Sequence, residues 1–444
     1  MDSASTSKRR SCCDYISSMP DSILHHILSL LDTHEAVRMC TLSKRWADLW
    51  TYLPDLTFDL RSFKSSCLPV LKEGLQSYVF DMNEGKRKAD RFVHFVSTVL
   101  LRRQPCNIHS FRLDCDSVTL SRQDHFKAWI VYAVQHNVRV LHVEALSSHS
   151  FPSCIWACSS LENLYLNPFC CDLYRLTDVN LPNLRELHLN EAFLDNCFSK
   201  LLFCGCPFLE KVCFEDCDFV DCDVSSNSLK HLRIVVDGDR GSYYDTGFRH
   251  NMKISAPNLT SFSFDGEPVF MQQTIFESTS SLIHVDFRYY CGFEEGYFES
   301  FAAVTSIENL VLRGHYCDVF LEGLLPKLTV FDNLTNLTIG GLCLSCHFNV
   351  LARFLEHLPN LKKLVLHHDG WNCEMDMHDV PTNSSTHLLP IKCKSLSEIE
   401  VKYFINDSSV KQFLGALVDG TMELPNIKMV LSLRPVRMPQ QIKI

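Results

Sequence analysis

The chain has 444 residues, 46% hydrophobic and 21% charged, which is enough apolar material for more than one buried core and is not the composition of a disordered polyelectrolyte. Its net charge of −10 is unevenly placed: residues 1–105 hold 15 Lys+Arg against 12 Asp+Glu, which leaves 27 against 40, or −13, for residues 106–444. An acidic main body argues against a nucleic-acid binder, which needs a surface that tracks phosphates.

Residues 1–13 read as a disordered N-terminus. Lys8-Arg9-Arg10, and later Lys86-Arg87-Lys88, are short basic clusters that could serve nuclear import. Pro20 stands where a first helical turn tolerates a missing N–H. Ile23, Leu24, Ile27, Leu28, Leu30 and Leu31 follow at helical spacing, over more than one apolar stripe. Thr33 is placed to cap a second short helix carrying Ala36, Val37 and Cys40. Ser43 is placed to cap a third, whose Trp46, Leu49 and Trp50 mark its apolar side before Pro54 ends it. Three helices in so short a segment cannot bury all this surface among themselves, so a partner is expected.

These residues resemble the F-box of plant F-box proteins. Met19-Pro20-Asp21, Ile27-Leu28-Ser29-Leu30-Leu31, Thr33, Ala36-Val37 and Leu42-Ser43-Lys44-Arg45-Trp46 with Leu49-Trp50 stand where that pattern has them, Met19 replacing the usual Leu. The resemblance implies docking on a Skp-type adaptor and, through it, on a cullin. It also implies that Pro20, Leu24, Ile27, Leu28, Val37, Ser43 and Trp46 make the contact.

After a segment expected to be a helical linker (61–105), an L-x-x-L-x-L pattern recurs twelve times between residues 106 and 402, from Ile108-Phe111-Leu113 to Leu396-Ile399-Val401. Starts lie 20 to 35 residues apart, the period of leucine-rich repeats. Each unit offers one strand that cannot bury its apolar side alone, so stacking is required. Outer helices are expected over Phe198–Phe203, Tyr297–Ala303 and Val350–His357. The Pro-Asn-Leu turns at Pro182, Pro257 and Pro359 should place proline just ahead of a strand. Residues 403–434 read as a cap, with a helix over Ser408–Val418 and a strand over Ile427–Leu433, and residues 435–444 as a tail. This body, through stretches such as Leu181-Pro182-Asn183-Leu184-Arg185-Glu186-Leu187-His188-Leu189, resembles plant F-box/leucine-rich-repeat proteins. That family often ends in an FBD region, whose tryptophan-centred consensus is not seen in this chain. The expected fold class is α/β: an N-terminal three-helix F-box over 14–60, then an irregular leucine-rich-repeat solenoid with a parallel sheet.

Period 2 turns the residues between the pattern leucines onto the open face of that sheet. Tyr165, His188, Arg233, Asp286, Arg288 and Arg313 are the candidates for target contact. Their mixed charge suits a folded or peptide partner; the bland alternative for any one of them is solvated surface. Nothing matches the common catalytic motifs. Cys343-Leu344-Ser345-Cys346-His347 matches a haem-attachment string by spacing alone, and Cys213, Cys217 and Cys222, or Cys204 and Cys206, are too loosely spaced for a zinc site. No cofactor and no metal are expected. The first 20 residues lack the apolar core of a signal peptide, and no run of 18 apolar residues could span a membrane. The 22 cysteines therefore read as reduced thiols, placing the chain in nucleus and/or cytoplasm. The functional expectation is a non-catalytic substrate-recognition subunit of an SCF-type ubiquitin ligase. A non-ligase scaffold is the alternative, and a small-molecule co-receptor a narrower one.

Overall fold

In a computed structural model of the chain, the described residues are 19–61, 82–115, 123–145, 151–168, 176–236, 251–266, 273–289, 306–314, 331–342, 348–368, 395–403 and 426–431, with single positions 16, 63, 321, 325, 414 and 415. They belong to two compact units, Met1–Cys171 and Asp172–Ile444.

The first unit opens with α1 (Asp21–Ser29) and α2 (Thr33–Arg38). Pro20 is the N-cap of α1, in extended conformation, and its carbonyl accepts from the Ile23 and Leu24 N–H groups. The cap of α2 is Asp32, not Thr33: its Oδ1 accepts from the Glu35 N–H at 2.7 Å. Thr33 is turned inward, where its Oγ1 accepts from the Thr57 N–H at 2.7 Å and ties the helix to the next strand. The third helical segment is tighter than an α-helix. Trp46 N–H reaches back three residues to Ser43, and turns over 44–48 lead into a 3-10 helix at Leu49–Tyr52. Spacings of three and four residues among Trp46, Leu49 and Trp50 suit either geometry.

Beyond it lie β1 (Asp55–Asp59), α3 (Met82–Arg102), β2 (Ser110–Cys115), α4 (Gln123–Gln135), β3 (Val140–Ala145) and β4 (Asn163–Pro168). β1 pairs in parallel with β2, β2 with β3, and β3 with β4. The first rung of the ladder thus lies at the end of the segment read as F-box, and α3, read as a linker helix, is the crossover between two parallel strands. His34 on α2, Phe58 on β1, Phe92 and Phe95 on α3, and Phe63 form an aromatic cluster with ring centroids 5.1 to 6.1 Å apart. Arg103, at the end of α3, is buried, and its guanidinium donates to the carbonyls of Leu53, Cys106 and Asn107 at 2.7–3.3 Å.

Among the described residues the second unit repeats the rung ten times: β5 (Glu186–Asn190), β7 (Lys211–Glu215), β10 (His231–Val235), β12 (Ser261–Gly266), β14 (His284–Tyr289), β15 (Asn309–Gly314), β16 (Asn336–Leu342), β17 (Lys363–His368), β18 (Glu398–Tyr403) and β19 (Asn426–Leu431). All pair in parallel and in one register, so that Leu187, Val212, Leu232, Phe262, Val285, Leu310, Leu337, Leu364, Ile399 and Ile427 form one column. Apart from Ile427, these side chains are buried. Between rungs lie β6 (Phe193–Asp195), paired with β8 (Asp218–Val220), and β9 (Cys222–Ser225), β11 (Asn251–Ser255) and β13 (Gln273–Ser278), which form a second parallel sheet. Outer helices occur as α5 (Asn196–Gly205) and α6 (Phe348–Leu355). Tyr297–Ala303 lies outside the described residues, as does nearly all of Ser408–Val418.

Several repeats are also stitched to their predecessors ahead of the strand. Ser160, Ser228 and Ser306 each precede the first pattern residue and donate Oγ–H to the previous repeat's carbonyl at Val138, Leu209 and Leu282, at 2.8–2.9 Å. In two Pro-Asn-Leu turns the asparagine does the same, Asn258 to Asn227 and Asn360 to Asp332. No helix among the described residues is long and apolar enough to cross a membrane.

Candidate interaction surfaces

The helical module separates its apolar residues into two sets. Leu24 and Leu28, four apart on α1, point inward and are fully buried, together with Ala36, Trp46, Leu49 and Trp50. The other set faces outward: Ile16 is 53% exposed, Ile23 45%, Leu30 74% and Leu42 60%. Of the residues expected to make the adaptor contact, Pro20 is exposed and Ile27, Val37 and Ser43 are half-buried, so these four reach the surface. Leu24, Leu28 and Trp46 do not. Their burial makes them the internal core that holds the surface in shape, which corrects their assignment as direct contacts. Ile16, Ile23, Leu30 and Leu42 were not among the residues expected to make that contact. The signal was present in the two stripes of α1, where Leu24 and Leu28 fill one and Ile23, Ile27 and Leu30 (i, i+4, i+7) the other. Arg45 fastens the turn region to the start of α1, donating from Nη2 to Asp21 Oδ1 at 2.6 Å and from Nε at 3.2 Å. The exposed apolar groups thus sit on a braced scaffold.

The sheet supplies the second surface. In the first unit Tyr165 stands in the middle outward position of β4 and stacks on His142 of β3, ring centroids 5.5 Å apart. In the second unit His188 and Arg233 occupy that same position on either side of Cys213, and Asp286 occupies it on β14. Arg288 and Arg313 occupy the next outward position on adjacent strands. All six predicted residues therefore lie on outward positions of the ladder. Asp286 and Arg288 are brought together, Arg288 Nη2 standing 3.2 Å from Asp286 Oδ2.

Charges on this face are largely paired. His188 Nε2 lies 2.9 Å from Glu215 Oε2, and that hydrogen bond holds the Glu215 carboxyl below the usual carboxylate range. Lys363 reaches Glu398 at 2.9 Å, which raises the lysine's pKa. Burial pushes the Cys213 thiol up to about 11 and the Cys206 and Cys222 thiols up to about 12; Cys217 is raised further. Such thiols stay neutral and pack as small apolar groups. Among the described residues no three His, Cys, Asp or Glu side chains converge as a metal site requires. The Cys343–His347 string lies outside the described residues.

Comparison with known proteins agrees with this division. Residues 16–57 match the family model described as F-box domain. Residues 126–265 match the model described as FBD-associated F-box protein At5g56370, LRR repeats. Among curated proteins of Arabidopsis thaliana, the F-box/FBD/LRR-repeat protein At5g44950 is 25% identical, covering 92% of this chain and 93% of the relative. The F-box/FBD/LRR-repeat protein At5g22660 is 27% identical, covering 90% of this chain and 89% of its own length. A third, At1g78750, is 26% identical over 92% of this chain and 91% of the relative. The helices and turns braced around Leu24, Leu28 and Trp46 fall in the stretch that matches the F-box model, and rungs β3 to β10 in the stretch that matches the leucine-rich-repeat model, so in both parts the chain is similar to plant F-box/FBD/LRR-repeat proteins.

Proposed function

We propose that the chain is the substrate-recognition subunit of an SCF-type ubiquitin ligase. The observation that carries this reading is the outward apolar set Ile16, Ile23, Leu30 and Leu42 on an F-box whose own core is already filled. Apolar groups left over after a module has closed its core have one stabilising use, burial against a partner. For an F-box that partner is a Skp-type adaptor, and through it a cullin. The sheet face, with paired charges of both signs, is assigned to the target protein.

The chain's contribution is proximity rather than chemistry. Holding a target beside a charged conjugating enzyme replaces a dilute encounter with an effective concentration on the order of millimolar. Abundant neutral, buried thiols are in keeping with a reducing compartment, so we place the protein in nucleus and/or cytoplasm.

The test is affinity purification of the tagged full chain from plant cells, with and without proteasome inhibition. Adaptor and cullin should co-purify in both cases, and at least one further protein should accumulate only when the proteasome is blocked. An Ile23→Gln/Leu30→Gln/Leu42→Gln variant, folded by circular dichroism, should lose adaptor and cullin. Undiminished adaptor capture by that variant would refute the docking assignment. Captured proteins with unchanged half-lives after cullin inhibition would leave a scaffold and not a ligase receptor.

A further inference from the structure

The helical module and the first rung meet around a cavity. β1 is the end strand of the ladder: among the described residues it pairs with β2 alone, so its other edge has no strand beside it. α2 is laid there instead, tied through Thr33 Oγ1 to the Thr57 N–H, and α3 reaches the same place through Phe95, whose ring lies 5.3 Å from that of His34. Helices laid against a strand edge do not fill space as another strand would. A cavity of about 170 Å³ remains between α2, β1 and α3.

Phe58, Phe63, Phe92 and Phe95 give the cavity its apolar wall, and Asp32, His34 and Asp59 its polar one. Phe58 and Phe92 are fully buried, whereas the three polar residues are half-buried, so the polar side is the one that meets solvent. In size the cavity suits a single ring, since an apolar cavity of about 150 Å³ holds benzene. Its charge has one sign, because no lysine or arginine lines it. The Asp32 carboxylate accepts the Glu35 N–H at 2.7 Å and has no ion pair among the described residues. Arg61, two residues beyond Asp59, has its guanidinium on Asp114 of β2 and Glu144 of β3. An anion would meet two carboxylates here. A ring carrying a positive charge would meet phenylalanines at one end and a carboxylate at the other.

We infer that this cavity is a binding site for a small organic cation, a single ring bearing an ammonium group, with the ring against the phenylalanines and the ammonium on Asp32. Its walls come from α2, β1 and α3, so an occupant fastens a helix of the adaptor-docking module to the first rung of the ladder. The inference goes beyond the adaptor and target surfaces and depends on neither.

The probe is benzylammonium, titrated into the purified full chain and followed by saturation-transfer NMR, with benzyl alcohol and benzoate as neutral and anionic counterparts of similar size. Benzylammonium should bind saturably at about millimolar or tighter, the range open to so few atoms. Benzyl alcohol should bind about tenfold more weakly, the difference between a charge-assisted and a neutral hydrogen bond, and benzoate more weakly still. Asp32→Asn keeps a helix-capping side chain but removes the charge, and should weaken benzylammonium binding by about tenfold. Phe95→Trp, whose larger ring takes up cavity space, should weaken benzylammonium and benzyl alcohol alike. Asp55→Asn removes a carboxylate from the same strand, one that faces His109 outside the cavity, and should change binding by less than about twofold. Circular dichroism and urea midpoints check folding, and the three-ligand series on the wild-type chain decides the matter if a variant is unstable. Absence of saturable benzylammonium binding overturns the site. Benzyl alcohol or benzoate binding within about twofold of benzylammonium overturns the cation assignment, as do equal losses in Asp32→Asn and Asp55→Asn.

Discussion

The division of the F-box into an inward and an outward apolar set predicts that stability and adaptor affinity come apart by residue. Leu28 is buried on α1, so Leu28→Ala removes a packed side chain and leaves a cavity, at a cost of about 2–5 kcal/mol in folding. Leu30, two residues on, is 74% exposed. Full burial of a leucine is worth about 1.5–3 kcal/mol, and roughly three-quarters of that has not been used in folding, so about 1–2 kcal/mol remains for a partner. Leu42 is comparable. The double variant Leu30→Gln/Leu42→Gln should therefore weaken adaptor binding by about 2–4 kcal/mol, at least roughly 30-fold, while changing folding stability by less than about 1 kcal/mol. Calorimetric titration of the full chain with the Skp-type adaptor gives the first quantity, and urea denaturation the second. The reasoning is refuted if the double variant binds within about threefold of wild type, or if Leu28→Ala abolishes binding with an unmoved urea midpoint.

Three further outcomes are expected. Arg103→Lys should cost about 2–4 kcal/mol in urea denaturation, because a compact ammonium cannot serve carbonyls of Leu53, Cys106 and Asn107 together; a change below about 0.5 kcal/mol would contradict the bracing role. Gly341→Ala should lower stability by at least about 2 kcal/mol, since Gly341 has φ +80° and an added Cβ would fall 1.8 Å from the Gly314 carbonyl oxygen; a thermal midpoint equal to wild type would sink the claim. His367 has its pKa depressed in the folded state to about 4, so its neutral form contributes stability that is fully present above about pH 6.5 and is lost as pH falls through 4. Being only half-buried, it should contribute about 1–2 kcal/mol after screening. His367→Gln should flatten that part of the urea-midpoint profile between pH 4 and 6.5, and an unchanged profile would refute the assignment.

What was legible in the sequence follows from which constraints are local. Twelve L-x-x-L-x-L segments became strands because period 2 forces both pattern residues of each strand onto one face, and stacking then leaves a single register. The six residues chosen for the sheet's open face fall on outward positions for the same reason. The first rung escaped notice although Leu53-x-x-Leu56-x-Phe58 carries the same pattern, because its apolar residues continue the helical module without a break. Pairing of β1 with β2, across more than 50 residues, is a non-local fact that no window of sequence contains. The identity of the cap on α2 was equally hidden: Asp32 and Thr33 are both good capping residues, and the choice was made by Thr57, whose N–H takes the threonine hydroxyl from the other side.

The same distinction explains the error at the adaptor face. Apolar residues on both sides of a short helix announce two contacts but not which is internal. That is settled by Trp46 and Trp50, which the turns after Ser43 carry back into the module with Leu24 and Leu28. With the tryptophans on the inward side, Ile23 stays partly exposed and Leu30 largely so. Sequence periodicity therefore defined the surfaces, and packing between distant residues decided which groups on them remain free to bind.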